Sequence, residues 1–256
     1  MKDLFSLKGK VAIVTGGNGG IGLGIARGFA GVGGEVAIAA RNKTKTAKAA
    51  EEMKKEFGVR VLEVEADLRQ ENQIAAMAKK VMDALGRIDV LVNNAGMNIR
   101  KMPQDLSAAD YDEVLSTNLR AAFLCSKAVY PSMKKVGGGK IINIGSMTSI
   151  FGGAKLLPYG TSKGGIVAMT RSLAAAWAQD NIQVNAILPG WIDTEMTQRA
   201  RIELEGLNER VLARTPVGRW GRTEDLQGTA IYLATAASNF ITGVALPVDG
   251  GYSISL

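Results

Sequence analysis

Tyr159-Gly-Thr-Ser-Lys163 places a phenol and an ammonium one helical turn apart, directly behind Pro158. Proline suits the first turn of a helix, and residues at i and i+4 share one face. Two positive influences therefore meet the Tyr159 hydroxyl: the Lys163 cation and the amino-terminal end of the helix dipole. Both favour phenolate over phenol. A phenol titrates at about 10 in water, and bringing it to about 7 takes roughly 4 kcal/mol of differential stabilisation, which two positive groups in a dry site can supply. A tyrosine so tuned exchanges a proton with a hydroxyl or carbonyl at neutral pH. The same spacing also describes a solvated helix face, so its meaning depends on the elements around it.

Those elements begin with Lys10-Val-Ala-Ile-Val-Thr15, which reads as a buried parallel strand. It runs into the turn Gly16-Gly-Asn-Gly-Gly20-Ile-Gly22 and then a helical stretch from Leu23 to Ala30. Strand, glycine-rich turn and helix in that order give a glycine motif its meaning. The glycines let backbone approach a pyrophosphate, and the helix start offers free N–H groups and a favourable dipole. Apolar segments predict seven parallel strands: Val11–Thr15, Val36–Ala39, Val59–Glu65, Val90–Asn93, Ile141–Ile144, Gln183–Leu188 and Val244–Val248. Long helical stretches separate them, as βαβ units require. The expected fold is α/β, a single Rossmann-type doubly wound domain over 1–256. A seven-stranded parallel sheet flanked by helices would bind its ligand at the carboxyl ends of the strands.

Composition narrows the chemistry. The chain has no histidine, so neither a Ser-His-Asp triad nor an imidazole acid/base is available, and with one cysteine as well no metal site is expected. Proton transfer then falls to tyrosine, lysine or a carboxylate, which again singles out Tyr159 and Lys163. Cys125, in the apolar helical run Ala121-Ala-Phe-Leu-Cys125, reads as a small core hydrophobe. One cysteine permits no internal disulfide and fits a reducing cytoplasm. The segment Met1-Lys-Asp-Leu-Phe-Ser-Leu-Lys8 lacks the apolar run of a signal peptide, and no apolar stretch of about 18 residues predicts a membrane span. The net charge of +7 is scattered; its densest patch, Arg41 to Lys55, holds Glu51 and Glu52 at helical spacing and reads as a solvated amphipathic helix. With 5% aromatics and no basic-aromatic interleaving, nucleic acid is not an expected partner.

Taken together, these residues resemble the classical short-chain dehydrogenase/reductase family from about Leu7 to Tyr252. The matching pieces are Thr15-Gly16-x-x-x-Gly20-Ile-Gly22, Asp67, Asn93-Asn94-Ala95-Gly96, Asn118, Ser146, Tyr159, Lys163 and Pro189-Gly190. The resemblance implies hydride exchange between a nicotinamide and a ketone or secondary alcohol, with Asn118, Ser146, Tyr159 and Lys163 as the catalytic set. Ser146 would hold the substrate oxygen and Tyr159 pass the proton. Lys163 would lower the Tyr159 pKa and grip the nicotinamide ribose, while Asn118 would bend its helix and hold a water linking Lys163 to solvent. Implied cofactor contacts are Gly16, Asn18, Gly20 and Ile21 in the glycine turn, Asn94, Ala95 and Gly96 after the fourth strand, and Tyr159 and Lys163 themselves. Pro189, Gly190, Ile192 and Thr194 follow the sixth strand in the same role, and Asn93 resembles a sheet-bracing amide. Asp67, beside Leu68, would accept from the adenine amine; it also suits capping a helix that begins at Leu68.

NAD-dependent members usually carry a carboxylate at the end of the second strand, where this chain has Ala40 followed by Arg41-Asn42. Nothing there repels a 2′-phosphate, and a guanidinium suits one. NADP(H) is therefore favoured. NAD(H) stays possible, because Gly19 stands where many NADP-dependent relatives have a second basic residue, and Arg41 also suits an exposed helix-start charge. The substrate would be a small carbonyl or alcohol. Arg214-Thr-Pro-Val-Gly-Arg219-Trp-Gly resembles relatives acting on sugar acids, such as gluconate and deoxygluconate dehydrogenases, and also glucose dehydrogenases. The 3-oxoacyl-carrier-protein reductase branch shares most motifs, but the basic position through which it docks its carrier falls near Ala175. A non-catalytic NADP-binding regulator would typically have lost the tyrosine or lysine. Residues 195–215 predict a substrate lid whose arginines, Arg199, Arg201, Arg210 and Arg214, form surface i,i+4 pairs with glutamates, or one of which, with Lys155 and Arg100 as other candidates, clamps a substrate carboxylate. Family members are commonly tetramers. The expected interfaces are helices near Asp110–Lys127 and Tyr159–Trp177, with apolar faces Val114, Leu115, Ala121, Ala122 and Leu124, and Ile166, Met169, Leu173 and Trp177, together with the last strand and the tail Gly250 to Leu256.

Overall fold

Apolar runs without alternation cannot leave either face of a sheet in water, so the strands must be covered on both sides. The computed structural model, which describes residues 4–255, has that arrangement. Its strands are β1 (Val11–Thr15), β2 (Glu35–Ala40), β3 (Val61–Glu65), β4 (Val90–Asn93), β5 (Gly139–Ile144), β6 (Ile182–Pro189) and β7 (Ala245–Val248). All pairings are parallel, in the order β3-β2-β1-β4-β5-β6-β7. The chain reverses its direction of growth between β1 and β4, and in such sheets that crevice opens at the carboxyl ends.

Successive residues of β1 enter different cores. Ala12 and Val14 pack with Ile25 and Phe29 of α1 (Gly20–Gly31), Met53 of α2 (Lys43–Phe57), and Ala230 and Leu233 downstream. Val11 and Ile13 pack on the other face with Ile74, Met77 and Val81 of α3 (Glu71–Leu85) and with Cys125 and Val129. Burial pushes the Cys125 thiol up to about 12, so it behaves as a core hydrophobe.

Boundaries differ from the sequence expectation where ladders or tertiary contacts intervene. Pairing with neighbours draws Glu35 into β2 and Gly139 and Ile182 into β5 and β6, while β3 begins only at Val61. The first helix starts at Gly20 rather than Leu23, because the glycine turn winds directly into it. The region expected as one helix near Asp110–Lys127 is α4 (Ala108–Leu115), a π turn (Ser116–Arg120) and α5 (Ala121–Lys135). Next come α6 (Leu157–Trp177), α7 (Glu195–Glu203) and α8 (Leu207–Arg214), the last two forming the lid region, and α9 (Gln227–Ala234).

The apolar faces expected to pair subunits are mostly internal. Val114, Ala121, Ala122, Leu124, Ile166 and Leu173 are buried within the chain itself. What stays exposed is Phe123 on α5 and, along the β7 edge and tail, Val244, Leu246 and Ile254. Among the described residues no helix is long and apolar enough to cross a membrane. The basic α2 buries Ala49, Ala50 and Met53 and leaves Glu51 and Glu52 exposed, as its amphipathic pattern predicts.

Candidate active site

Three glycines shape the turn after β1. Gly16 (φ 62°) and Gly20 (φ 51°) adopt the left-handed conformation that side chains disfavour. A Cβ at Gly22 would lie 2.4 Å from Asn94 Nδ2 and from the Gly16 carbonyl oxygen, so only glycine fits. The Asn94 amide donates to the carbonyls of Thr15 (2.9 Å) and Gly16 (3.2 Å), fastening the β4 end to the turn. Asn93 points into the sheet, donating to Asn143 Oδ1 (2.8 Å) and Ser126 (3.0 Å). At Gly19, the residue before α1, no side chain caps the helix, so its first N–H groups face the crevice without side-chain partners. This is a cradle for a phosphate-bearing ligand, with the helix dipole favouring the anion.

The cradle opens into a cleft of about 360 Å³ whose far wall is Ser146, Tyr159 and Lys163. Pro189, Gly190, Ile192 and Thr194 complete it on the β6 side, beside Glu195, Met196 and Thr197 of the lid. Lys163 is buried and donates to the Ile144 carbonyl at the end of β5 (2.7 Å); burial lowers its pKa to about 8. Its ammonium lies 5.6 Å from the centre of the Tyr159 ring. Ser146 caps the short turn Met147–Ser149, accepting from Thr148 N (3.1 Å). The Ser149 hydroxyl donates to the Lys163 carbonyl (2.8 Å), tying that turn to α6.

The expected depression of the Tyr159 pKa is not met. Burial raises it above the ordinary tyrosine value, and the neighbouring Ser146 hydroxyl and the Arg100 charge only partly oppose this. Helix position and Lys163 do not overcome the loss of water around the phenol. Asn118 lies where the helix bends, in the π turn between α4 and α5. Fully buried, it accepts from Met97 N (2.8 Å) and donates to Met97 O (2.9 Å) and to Ser162 (3.0 Å). These contacts brace the segment after Gly96 and the first turns of α6.

A second cleft, of about 250 Å³, adjoins the first through Gly16, Asn18, Ala95 and Gly96 and is closed by Arg41, Asn42, Asp67 and Leu68. Asn42 caps α2, accepting from Lys45 N (2.9 Å), and Asn18 reaches across to Thr46 (3.0 Å). Arg41 is exposed at the rim. Asp67 does not cap a helix beginning at Leu68, since α3 starts at Glu71 behind Gln70. Instead its carboxylate accepts from Arg69, with Nη2 at 2.6 Å, which holds its pKa down at about 2. Among the described residues no ion pair joins the lid arginines to Glu203, Glu205 or Glu209, as i,i+4 pairing would require. Arg201 pairs with Asp193 and stacks on Trp220 (4.1 Å), and Arg210 donates to the Glu205 carbonyl. Arg214 lies between the rings of Phe151 and Tyr252. Sequence reasoning missed Lys45, which lines both clefts; its place one turn after Arg41 was the available signal.

Comparison with known proteins gives this geometry a context. A family model described as enoyl-(acyl carrier protein) reductase matches residues 16–253. A 2-dehydro-3-deoxy-D-gluconate 5-dehydrogenase of Escherichia coli is 41% identical over 250 residues, covering 97% of each chain. The chain belongs to the short-chain dehydrogenase/reductase family. It is an oxidoreductase of the class that interconverts CH–OH groups and carbonyls. A gluconate 5-dehydrogenase of Gluconobacter oxydans is 37% identical over 254 residues, 99% of this chain and 98% of its own. Among solved structures, a gluconate 5-dehydrogenase from Burkholderia cenocepacia, in complex with NADP and tartrate, superposes with a TM-score of 0.94. It is 36% identical, and the match covers 100% of this chain and 99% of that one.

Proposed function

We propose that this protein is an NADP(H)-dependent oxidoreductase of sugar acids, interconverting a keto-gluconate-type ketone and its secondary alcohol. The observation that carries this reading is the single crevice in which a phosphate cradle, Ser146, Tyr159 and Lys163 share one wall-to-wall space, continuing to a rim with Arg41. Sugar-acid dehydrogenases among its relatives, one of them holding NADP and tartrate, supply the substrate class.

Bound in the cradle, the nicotinamide would accept or deliver hydride. The chain's own groups handle binding and the proton. Gly16, Asn18, Gly20 and Ile21 would seat the pyrophosphate against the α1 start, Asn94, Ala95 and Gly96 flank it, and Arg41 and Asn42 meet the 2′-phosphate side, with Asp67 and Leu68 near the adenine. Pro189, Gly190, Ile192 and Thr194 wall the nicotinamide end. Held neutral by burial, Tyr159 is a loaded proton donor at neutral pH and suits carbonyl reduction. Ser146 steadies the same oxygen. Lys163, anchored on Ile144, places positive charge beside the phenolate left behind, and Asn118 positions α6 through Ser162. Arg100, Lys155 or a lid arginine would meet the substrate carboxylate, and Arg100 is the one whose charge favours the Tyr159 phenolate.

The test is NADPH oxidation against a panel of keto-gluconates, diketones and acetoacetyl thioesters. Keto-gluconates should give the highest kcat/KM; faster turnover of the thioesters would overturn the sugar-acid reading. We further propose a cytoplasmic homotetramer, in which the exposed β7 edge, tail and Phe123 are covered by other copies. Light scattering at the 27.0 kDa monomer mass would exclude it.

A further inference from the structure

Gly19 leaves a hole where many NADP-dependent relatives have a cation, and another residue fills it. A Cβ built on Gly19 would lie 2.9 Å from Lys45 Nζ and 3.0 Å from Lys45 Cε. The Lys45 ammonium therefore occupies the space above the glycine turn, and any side chain at position 19 would have to displace it. Lys45 is held there from below, its backbone N–H donating to the Asn42 cap in the first turn of α2. Its side chain borders both the cradle and the cleft with Arg41. The anion it meets is Glu195, the first residue of the lid helix α7, at 2.6 Å. Both side chains are well exposed, and exposed ion pairs are weak enough to exchange partners. A phosphate dianion offers a lysine more charge and more acceptor oxygens than one carboxylate.

We propose that Lys45 is the second cation of the 2′-phosphate site, standing in for the missing glycine-loop cation, and that it is shared between that phosphate and Glu195 of the lid. This rests on the NADP(H) reading. When the phosphate takes Lys45, Glu195 loses its partner and α7 loses its tie to α2. By linkage, Glu195 competes with the phosphate for the same ammonium.

Competition gives the two members of the pair opposite signs, which a merely structural ion pair would not. The experiment is direct calorimetric titration of NADPH, NADH, adenosine 2′,5′-bisphosphate and 5′-AMP into the full chain without substrate. Lys45→Met should weaken NADPH and the bisphosphate by about tenfold or more, the effect of one charged hydrogen bond, and leave NADH and 5′-AMP unchanged. Glu195→Gln should tighten NADPH and the bisphosphate by up to about fivefold, the scale of an exposed pair, again without effect on NADH. The double variant should match Lys45→Met. Equal changes for phosphorylated and unphosphorylated ligands, no change in Lys45→Met, or weaker NADPH binding in Glu195→Gln would each overturn the proposal. Wild-type protein with no preference for NADPH over NADH would instead sink the NADP(H) reading beneath it.

Discussion

The two ends of β5 carry two buried lysines in similar electrostatic trouble. Lys140 sits at the amino end and Lys163 is hydrogen-bonded to the carboxyl end, and burial lowers the pKa of each to about 8. Their surroundings differ. Lys140 borders a cavity of about 470 Å³ and donates to Asn239 Oδ1 (2.9 Å) and weakly to Ser238 (3.5 Å). The nearby carboxylate, Asp89, is already held by Arg87, Lys10 and the Val11 N–H. Lys163 faces a phenol, a serine and a glycine cradle backed by a helix dipole. A perturbed lysine is thus common to both ends, and what distinguishes the carboxyl end is the set of groups that can act on a ligand with it.

The hardest way to break that comparison is to remove the phenol oxygen. Tyr159→Phe keeps the ring and should lower kcat by about 10²–10⁴-fold, the range for a missing general acid, while cofactor binding measured by titration stays nearly unchanged. Retention of most activity would strip the carboxyl end of its assigned chemistry. Lys163→Met should act next most strongly, lowering kcat by about 10–100-fold. Because burial brings the Lys163 proton off at about 8, well below the raised Tyr159, the ammonium favours the phenolate only below that pH, so the rate ratio of wild type to variant should fall as pH rises through 8. A ratio that stays flat across pH 8 would mean that Lys163 acts by position rather than by charge.

Most of the scaffold was legible because each level of the sequence agreed with the next. The apolar runs required a doubly covered sheet, the glycine turn required a strand before it and a helix after it, and Tyr159 and Lys163 required the helix that Pro158 starts. What was not legible depended on long-range partners. Arg69 captures Asp67, and the π turn aims Asn118 at Met97 and Ser162, contacts that no local spacing encodes. The Tyr159 shift had the opposite sign to the expectation because charge and dipole can be read from spacing, whereas desolvation depends on the closed walls of the cleft. Lys45 was read as part of a solvated face, and its position over Gly19 exists only once α2 docks beside the turn.

The mildest perturbation falls at the amino end. Lys140→Met should leave kcat and KM unchanged, since nothing at that end touches the cleft holding Tyr159. Its signature is in stability. The folded pKa of Lys140, about 8, lies below the ordinary lysine value of 10.5, so between these pH values the unfolded chain binds the extra proton. Stability contributed by this residue therefore rises with pH across that window, whereas below pH 8 both states are protonated and the full burial penalty stands. Methionine carries no such penalty but abandons the Asn239 and Ser238 oxygens, a loss that does not depend on pH. Wild type should consequently gain on Lys140→Met in melting temperature as pH rises from 8 to 10.5, whichever protein is more stable at pH 7. A gap that stays flat would show that a counter-charge already compensates Lys140, and the two ends of β5 would then differ in electrostatics as well as in chemistry.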